Sequence, residues 1–174
     1  MTGKEFMNAV ASGKTDIIQL LLNLLEETGT AYCVIGGLAV NAYAEPVVSL
    51  DLDLVVVSDR MDALCDAARS EGLKLQGFEH SINMSISGSD LRIQLQTDTR
   101  YQDFLLRAAQ REVLGYRMVV AALEDVLQGK IWAYSDEQRR KSKRQKDLSD
   151  ITRLVETHPA LKERLPPEIR SQVE

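Results

Sequence analysis

The sequence predicts an α+β (α/β) fold, a mixed β-sheet flanked by helices and followed by a helical C-terminal segment. Three observations predict it. Apolar residues recur at helical spacing near the N-terminus, short β-rich runs alternate with helical stretches up to residue 122, and the chain reads as helical from Leu123 onward. The expected division is an α/β domain over residues 1–122 with a helical extension, 123–174, packed on it.

Each element has its own signal. Residues 15–28, TDIIQLLLNLLEET, carry the apolar stripe of an amphipathic helix, with Thr15 or Asp16 placed to cap it and Gly29 to end it. Tyr32 to Ile35 is β-rich and runs into Gly36-Gly37. LAVNAYAE is Ala-rich and reads as a short helix stopped by Pro46. Leu50 to Val57 reads as a strand, with Ser58 or Asp59 capping a helix across 60–71. KLQGFE, HSINMSI and LRIQLQT then alternate polar with apolar over 73–98, a meander with Gly88 in its last turn. Residues 101–109 read as helical, and REVLGYRMVVA as one or two strands bent at Gly115. Two helices follow, EDVLQGKIWAYS and DEQRRKSKRQKDLSDITRLVETH, the second striped by Leu148, Ile151, Leu154 and Val155. Pro159, Pro166 and Pro167 break up the tail.

Composition narrows the function classes. The 174 residues are 44% hydrophobic and 27% charged, ordinary values for a globular domain. No apolar stretch approaches the roughly 18 residues of a membrane span. The first residues lack the apolar core of a signal peptide, so a cytoplasmic location with no membrane partner is expected. Cys33 and Cys65 form no CxxC or Cys/His cluster, and His80 and His158 are the only histidines. Neither a zinc site nor a disulfide framework is expected, and both thiols read as reduced and core-facing. Trp132, Tyr134 and Tyr43 read as packing residues. The net charge of −5 argues against general polyanion binding, yet residues 139–146, RRKSKRQK, hold six basic side chains and no acidic one. On a helix Arg140, Lys143, Arg144 and Asp147 share one face. That face is either simply solvated or a patch for phosphate or a partner.

The most informative stretch is Ile35-Gly36-Gly37, thirteen residues, then Asp51-Leu52-Asp53-Leu54. Side chains alternate along a strand, so Asp51 and Asp53 face one way, about 7 Å apart, while the leucines face the core. Two such carboxylates can share a hard divalent cation, and magnesium binds readily through one or two carboxylates plus substrate phosphates. Glycines without Cβ atoms let phosphate oxygens approach the backbone. Either part alone has a plainer reading, a tight turn for the glycines and a solvated strand for the aspartates. Their combination is the more specific signal.

This pattern resembles the DNA polymerase β-like nucleotidyltransferase superfamily. Ser49 stands where small bacterial members often carry Ser or Thr. The later stretch, with Lys130 and Lys146-Asp147-Leu148, looks like the helical half of the AbiE-type toxin nucleotidyltransferases. The resemblance implies transfer of NMP from an NTP to a hydroxyl on a small molecule, a tRNA or a protein, with an antitoxin-type partner. It implies that Asp51 and Asp53 hold two Mg²⁺ ions, that Gly36, Gly37 and Ser49 contact the nucleotide, and that Lys130 neutralises phosphate charge.

Two departures from the family pattern are visible. The strand LRIQLQT, where active members carry a third carboxylate, offers Gln94 or Gln96, with Asp90 and Asp98 at its two ends. An amide ligates metal weakly and cannot act as a general base. Val47 and Val48 stand where small members often have an Arg. The second reading is therefore a catalytically degenerate protein of the same fold that binds a nucleotide or a partner.

Overall fold

The computed structural model describes residues 1–11 and 15–174. Helix α1 (Gly3–Val10) opens the chain on a capping box, with Thr2 and Glu5 each bonding the other's backbone. In α2 (Ile17–Glu27) the Asp16 side chain, not that of Thr15, accepts from the Gln19 N–H, and the apolar stripe is buried from Ile17 to Leu25. Strand β1 (Tyr32–Ile35) leads directly into α3 (Gly36–Val40). The glycines thus begin this short helix instead of preceding it, and residues 41–45 are turns rather than the expected continuation of LAVNAYAE. The Asn41 amide fixes the turn by bonding both N–H and C=O of Val47.

Strand β2 (Asp51–Val56) is two residues shorter than expected; Leu52 and Leu54 are fully buried and anchor it. Helix α4 (Met61–Ser70) follows a single 3-10 turn. The meander forms as read, with β3 (Lys74–Gly77), β4 (Ser81–Ser85) and β5 (Arg92–Gln96). Residues 99–106 form a 3-10 helix instead of an α-helix, and Ala109 already belongs to β6 (Ala109–Val113). That strand turns through Leu114 and Gly115, both at positive φ, into β7 (Tyr116–Val120), the backbone of a tight hairpin. Helices α5 (Leu123–Ser135), α6 (Lys141–Thr157) and α7 (Pro167–Val173) complete the chain.

The expected helix from residue 136 begins only at Lys141. The Asp136 carboxylate accepts from the Gln138 N–H and its carbonyl from the Arg139 N–H, so this segment is a turn.

The seven strands form one mixed sheet in the order β3-β4-β5-β2-β1-β7-β6. Strands β1 and β2 are antiparallel, whereas β2 and β5 run parallel, in a register that pairs Asp51 with Arg92, Asp53 with Gln94 and Val55 with Gln96. On the other side of β2, Ile35 pairs with Asp53, which brings the first glycine to that carboxylate. Helix α3 packs on β1 and β2 and also touches α5 and α6, so the C-terminal helices reach the strand that carries the aspartates. Cys33 and Cys65 are both buried free thiols. Trp132 packs in an aromatic cluster with Tyr101 and Phe104. No helix among the described residues is long and apolar enough to cross a membrane.

Candidate active site

The central strands deliver the two aspartates to the floor of a cleft roofed by α5 and α6. The cleft has two lobes that share Asp53, Lys130, Arg139 and Asp147. One lobe, about 390 Å³, is completed by Gly37, Ser49, Asp51, Lys143 and Lys146. The other, about 510 Å³, is completed by Ile35, Gly36, Gln94, Gln96, Tyr101, Gly129 and Ala133.

Asp53 is the strained carboxylate of the cleft. Its Oδ1 is buried without a hydrogen-bond partner. Burial pushes its carboxyl up to about 6, an effect that Lys130 opposes and Asp51 reinforces. Gly36 explains the close fit. Its φ is +74°, and a Cβ there would run into the Asp53 carboxylate. Gly36→Ala should therefore cost about 2–4 kcal/mol, from left-handed strain plus displacement of Asp53. Urea denaturation measures this, and a loss below about 1 kcal/mol would mean that the close approach is not needed.

Asp51 is more open. Its side chain is 32% exposed, and Oδ1 accepts from Arg92 Nε at 3.2 Å. The Ser49 hydroxyl is within hydrogen-bond distance of both backbone polar groups of Asp51, so it shapes the approach to β2. Gly37 lies beside it, where a Cβ would stand 3.5 Å from Ser49 Oγ.

Lys130 is only 7% exposed, and its ammonium is already engaged. It donates to Asp147 Oδ1 at 3.1 Å and lies 2.8 Å from Asp150 Oδ2. Arg139 grips Asp147 through Nε at 2.7 Å, and Arg153 donates to Asp150 Oδ1 at 2.8 Å and to the Glu45 carbonyl. Burial disfavours the Lys130 charge, yet Asp150 and Asp147 more than offset this and raise its pKa. Burial likewise disfavours the Asp150 charge, and Lys130 and Arg153 reverse it to leave the carboxyl below its usual range. Three cations against two carboxylates leave this network net positive beside Asp53.

The structure thus gathers Gly36, Gly37, Ser49, Asp51, Asp53 and Lys130 in one cleft, and register puts Gln94 beside Asp53. Asp98 is not there. It caps the 3-10 helix through the Arg100 N–H and pairs with the Arg100 guanidinium at 3.0 Å. Burial works against its ionisation, but those bonds prevail and hold its carboxyl below the usual range.

The basic patch divides as well. Lys143 lines the cleft, but Arg140 precedes the helix and is exposed, and Arg144 donates to the Tyr134 carbonyl and lies over the Tyr134 ring. Arg139 and Tyr101, which line the cleft, were not singled out from sequence; only the tertiary turn at Asp136 and the packing of Tyr101 against Gly129 reveal them. Tyr43 and His158 lie outside the two lobes, with His158 Nε2 bonded to the Tyr43 carbonyl. Among the described residues no group of three or more His, Cys, Asp or Glu side chains converges as a metal site.

No family model and no curated protein matches the sequence. Solved structures do match its fold, and they are nucleotidyltransferases. The antibiotic-resistance factor ANT(2")-Ia, solved with adenylyl-2"-tobramycin, aligns at a TM-score of 0.64 with 18% identity, over 91% of this chain and 97% of that one. The lincomycin-bound lincosamide adenylyltransferase LnuA aligns at 0.57 with 9% identity, over 82% and 99%. An antigenic nucleotidyltransferase-like protein from Paracoccidioides brasiliensis aligns at 0.53 with 16% identity, over 86% and 75%. The chain has the nucleotidyltransferase fold, an α+β mixed sheet with flanking helices.

Proposed function

We propose that the chain transfers a nucleoside monophosphate from an NTP to a hydroxyl acceptor in this cleft. The observation that carries the reading is the partnerless, buried Oδ1 of Asp53 beside Asp51 and Gly36. A carboxylate built into such a position is costly unless a cation meets it. The donor set fits a hard divalent cation such as Mg²⁺, since no protein donor among the described residues reaches Asp51 Oδ2 or Asp53 Oδ1. When bound, such a cation withdraws charge from the nucleotide phosphates.

The chain's own residues supply the rest. Lys143 and Lys146 make no ion pair among the described residues and face the lobe of Gly37 and Ser49, which suits a triphosphate tail. In-line displacement then puts the attacking hydroxyl on the far side of the α-phosphate, in the lobe of Gln94, Gln96 and Tyr101. The acceptor oxygen bonds to phosphorus, the bond to the pyrophosphate oxygen breaks, and the hydroxyl proton leaves to solvent. Lys130, engaged by two aspartates, acts on this site by holding α5 and α6 in place and by its charge near Asp53.

Two of the neighbours that cover most of this chain were solved with lincomycin or with adenylyl-2"-tobramycin, which supports a small-molecule hydroxyl as the acceptor we propose first. A tRNA or protein hydroxyl, and with it a toxin-type role beside an antitoxin in a bacterial cytoplasm, rests on the motif resemblance at Lys130 and Lys146-Asp147-Leu148. The test is transfer of labelled NMP from each NTP to these three acceptor classes with Mg²⁺ present. Transfer should fall by at least about 100-fold in Asp51→Asn and in Asp53→Asn. Labelling that survives both substitutions would refute the reading. The Gln94 amide beside Asp53 favours the alternative, a nucleotide-binding protein without turnover. That alternative predicts saturable NTP binding and no labelled product with any acceptor.

A further inference from the structure

Strands β2 and β5 bear on how many cations the cleft can hold, a question that rests on the proposed nucleotide site. Their parallel register sets Arg92 beside Asp51 and Gln94 beside Asp53. Arg92, Gln94 and Gln96 alternate along β5, so they share the face on which Asp51 and Asp53 lie. The Arg92 guanidinium occupies Asp51 Oδ1 at 3.2 Å, while Asp51 Oδ2 and both oxygens of Asp53 have no protein donor among the described residues. Among the described residues no third carboxylate joins them: Asp98 is bound to Arg100, and Asp147, which lines both lobes, is held by Lys130 and Arg139.

Each of two adjacent cations needs protein oxygens besides the nucleotide phosphates, and of the four oxygens on Asp51 and Asp53 one is already held by a guanidinium. A Gln in place of a carboxylate, together with an added Arg, makes the protein wall two charges less negative. That difference equals the charge of one divalent cation. We infer that the cleft binds a single divalent cation, through Asp53 and Asp51 Oδ2, and that Arg92 supplies on Asp51 Oδ1 the positive pole a second cation would otherwise occupy. Arg92 suits this role because its charge is permanent and its side chain, 60% exposed, can follow Asp51 without disturbing the core.

The experiment counts bound Mn²⁺ per chain by electron paramagnetic resonance, on the full chain titrated with Mn²⁺ alone, because a triphosphate would bring an ion of its own. The wild type should bind one ion, Asp53→Asn none, and the double variant Arg92→Ala/Gln94→Asp two. Arg92→Ala alone should keep the count at one and tighten it by about 2–5-fold, the effect of removing a half-exposed neighbouring charge. Two ions on the wild type would overturn the inference and leave the proposed nucleotide site standing. A double variant that still binds one ion would also overturn it, because Arg92 and Gln94 would not then set the count. No ion on the wild type, or an undiminished one on Asp53→Asn, would overturn the nucleotide-site reading and the inference with it. Arg92 is exposed, so unchanged thermal unfolding of Arg92→Ala separates these outcomes from misfolding.

Discussion

Replacing Lys130 with Met is expected to destabilise the chain by about 3 kcal/mol, the low end of the range for breaking a buried ion pair. The substitution leaves Asp147 and Asp150, 1% and 4% exposed, without the ammonium that lies 3.1 and 2.8 Å from them. Arg139 and Arg153 remain on the outer oxygens and limit the loss. The damage is charge left unpaired rather than lost packing, since Met matches the Lys stem closely. A companion variant, Lys130→Met with Asp147→Asn and Asp150→Asn, should therefore recover more than half of the stability. Urea unfolding of the two proteins decides the matter. If the single variant loses less than about 1 kcal/mol, or the triple variant is worse than the single one, the network does not hold α5 to α6 as described.

Asp53→Asn should have the opposite sign in the metal-free protein. The folded-state pKa is raised, from 3.8 to about 6, so the native state holds its proton more tightly than the unfolded chain. Wild-type stability from this group is present at low pH and is lost as pH rises from about 4 through about 6. The Asn variant has no such loss. At pH 8 without divalent cations it should exceed the wild type by about 1–3 kcal/mol, with the gap closing near pH 4. Mg²⁺ with nucleotide should then stabilise the wild type and leave the variant unmoved. A variant less stable than the wild type at pH 8 would show that Asp53 is not a strained carboxylate. The effect would be a trade of stability for function at one residue.

Much of the architecture was legible because it follows local period. Strands β1, β2, β4 and β5, the hairpin at Gly115 and helices α2 and α5 form close to where alternation or helical spacing puts them. The misses have local causes. Helix α1 is eight residues long, so its apolar pattern of Phe6, Met7 and Val10 spans little more than two turns behind the Thr2 and Glu5 capping box. The segment from residue 136 read as continuous helix because Lys, Arg and Gln are good helix formers, but Asp136 uses its side chain and carbonyl to close a turn ahead of the basic run. That turn lets Arg139 fold back onto Asp147, a contact no helical face would suggest. Alternation put Gln94 and Gln96 on one strand face with Asp90 and Asp98 at its two ends, and it left open which of the two amides stands by the aspartates. Only the register with β2 chose Gln94 as the neighbour of Asp53.

The division between the two kinds of information has a physical basis. Which face of β2 carries charge, which carries leucine, and where a glycine permits close backbone approach are properties of a few neighbouring residues, and the sequence alone determined them. Whether a given cation is available to a ligand depends on what meets it from distant segments. Lys130 looked like a free phosphate partner until Asp147 and Asp150, from the next helix, were found on its ammonium. Nothing in the sequence singles out Arg92, and only the pairing of β5 with β2 sets it on Asp51. Coulomb interactions act across whatever chain separation the fold closes, so the charge balance of this cleft was decided by tertiary structure alone.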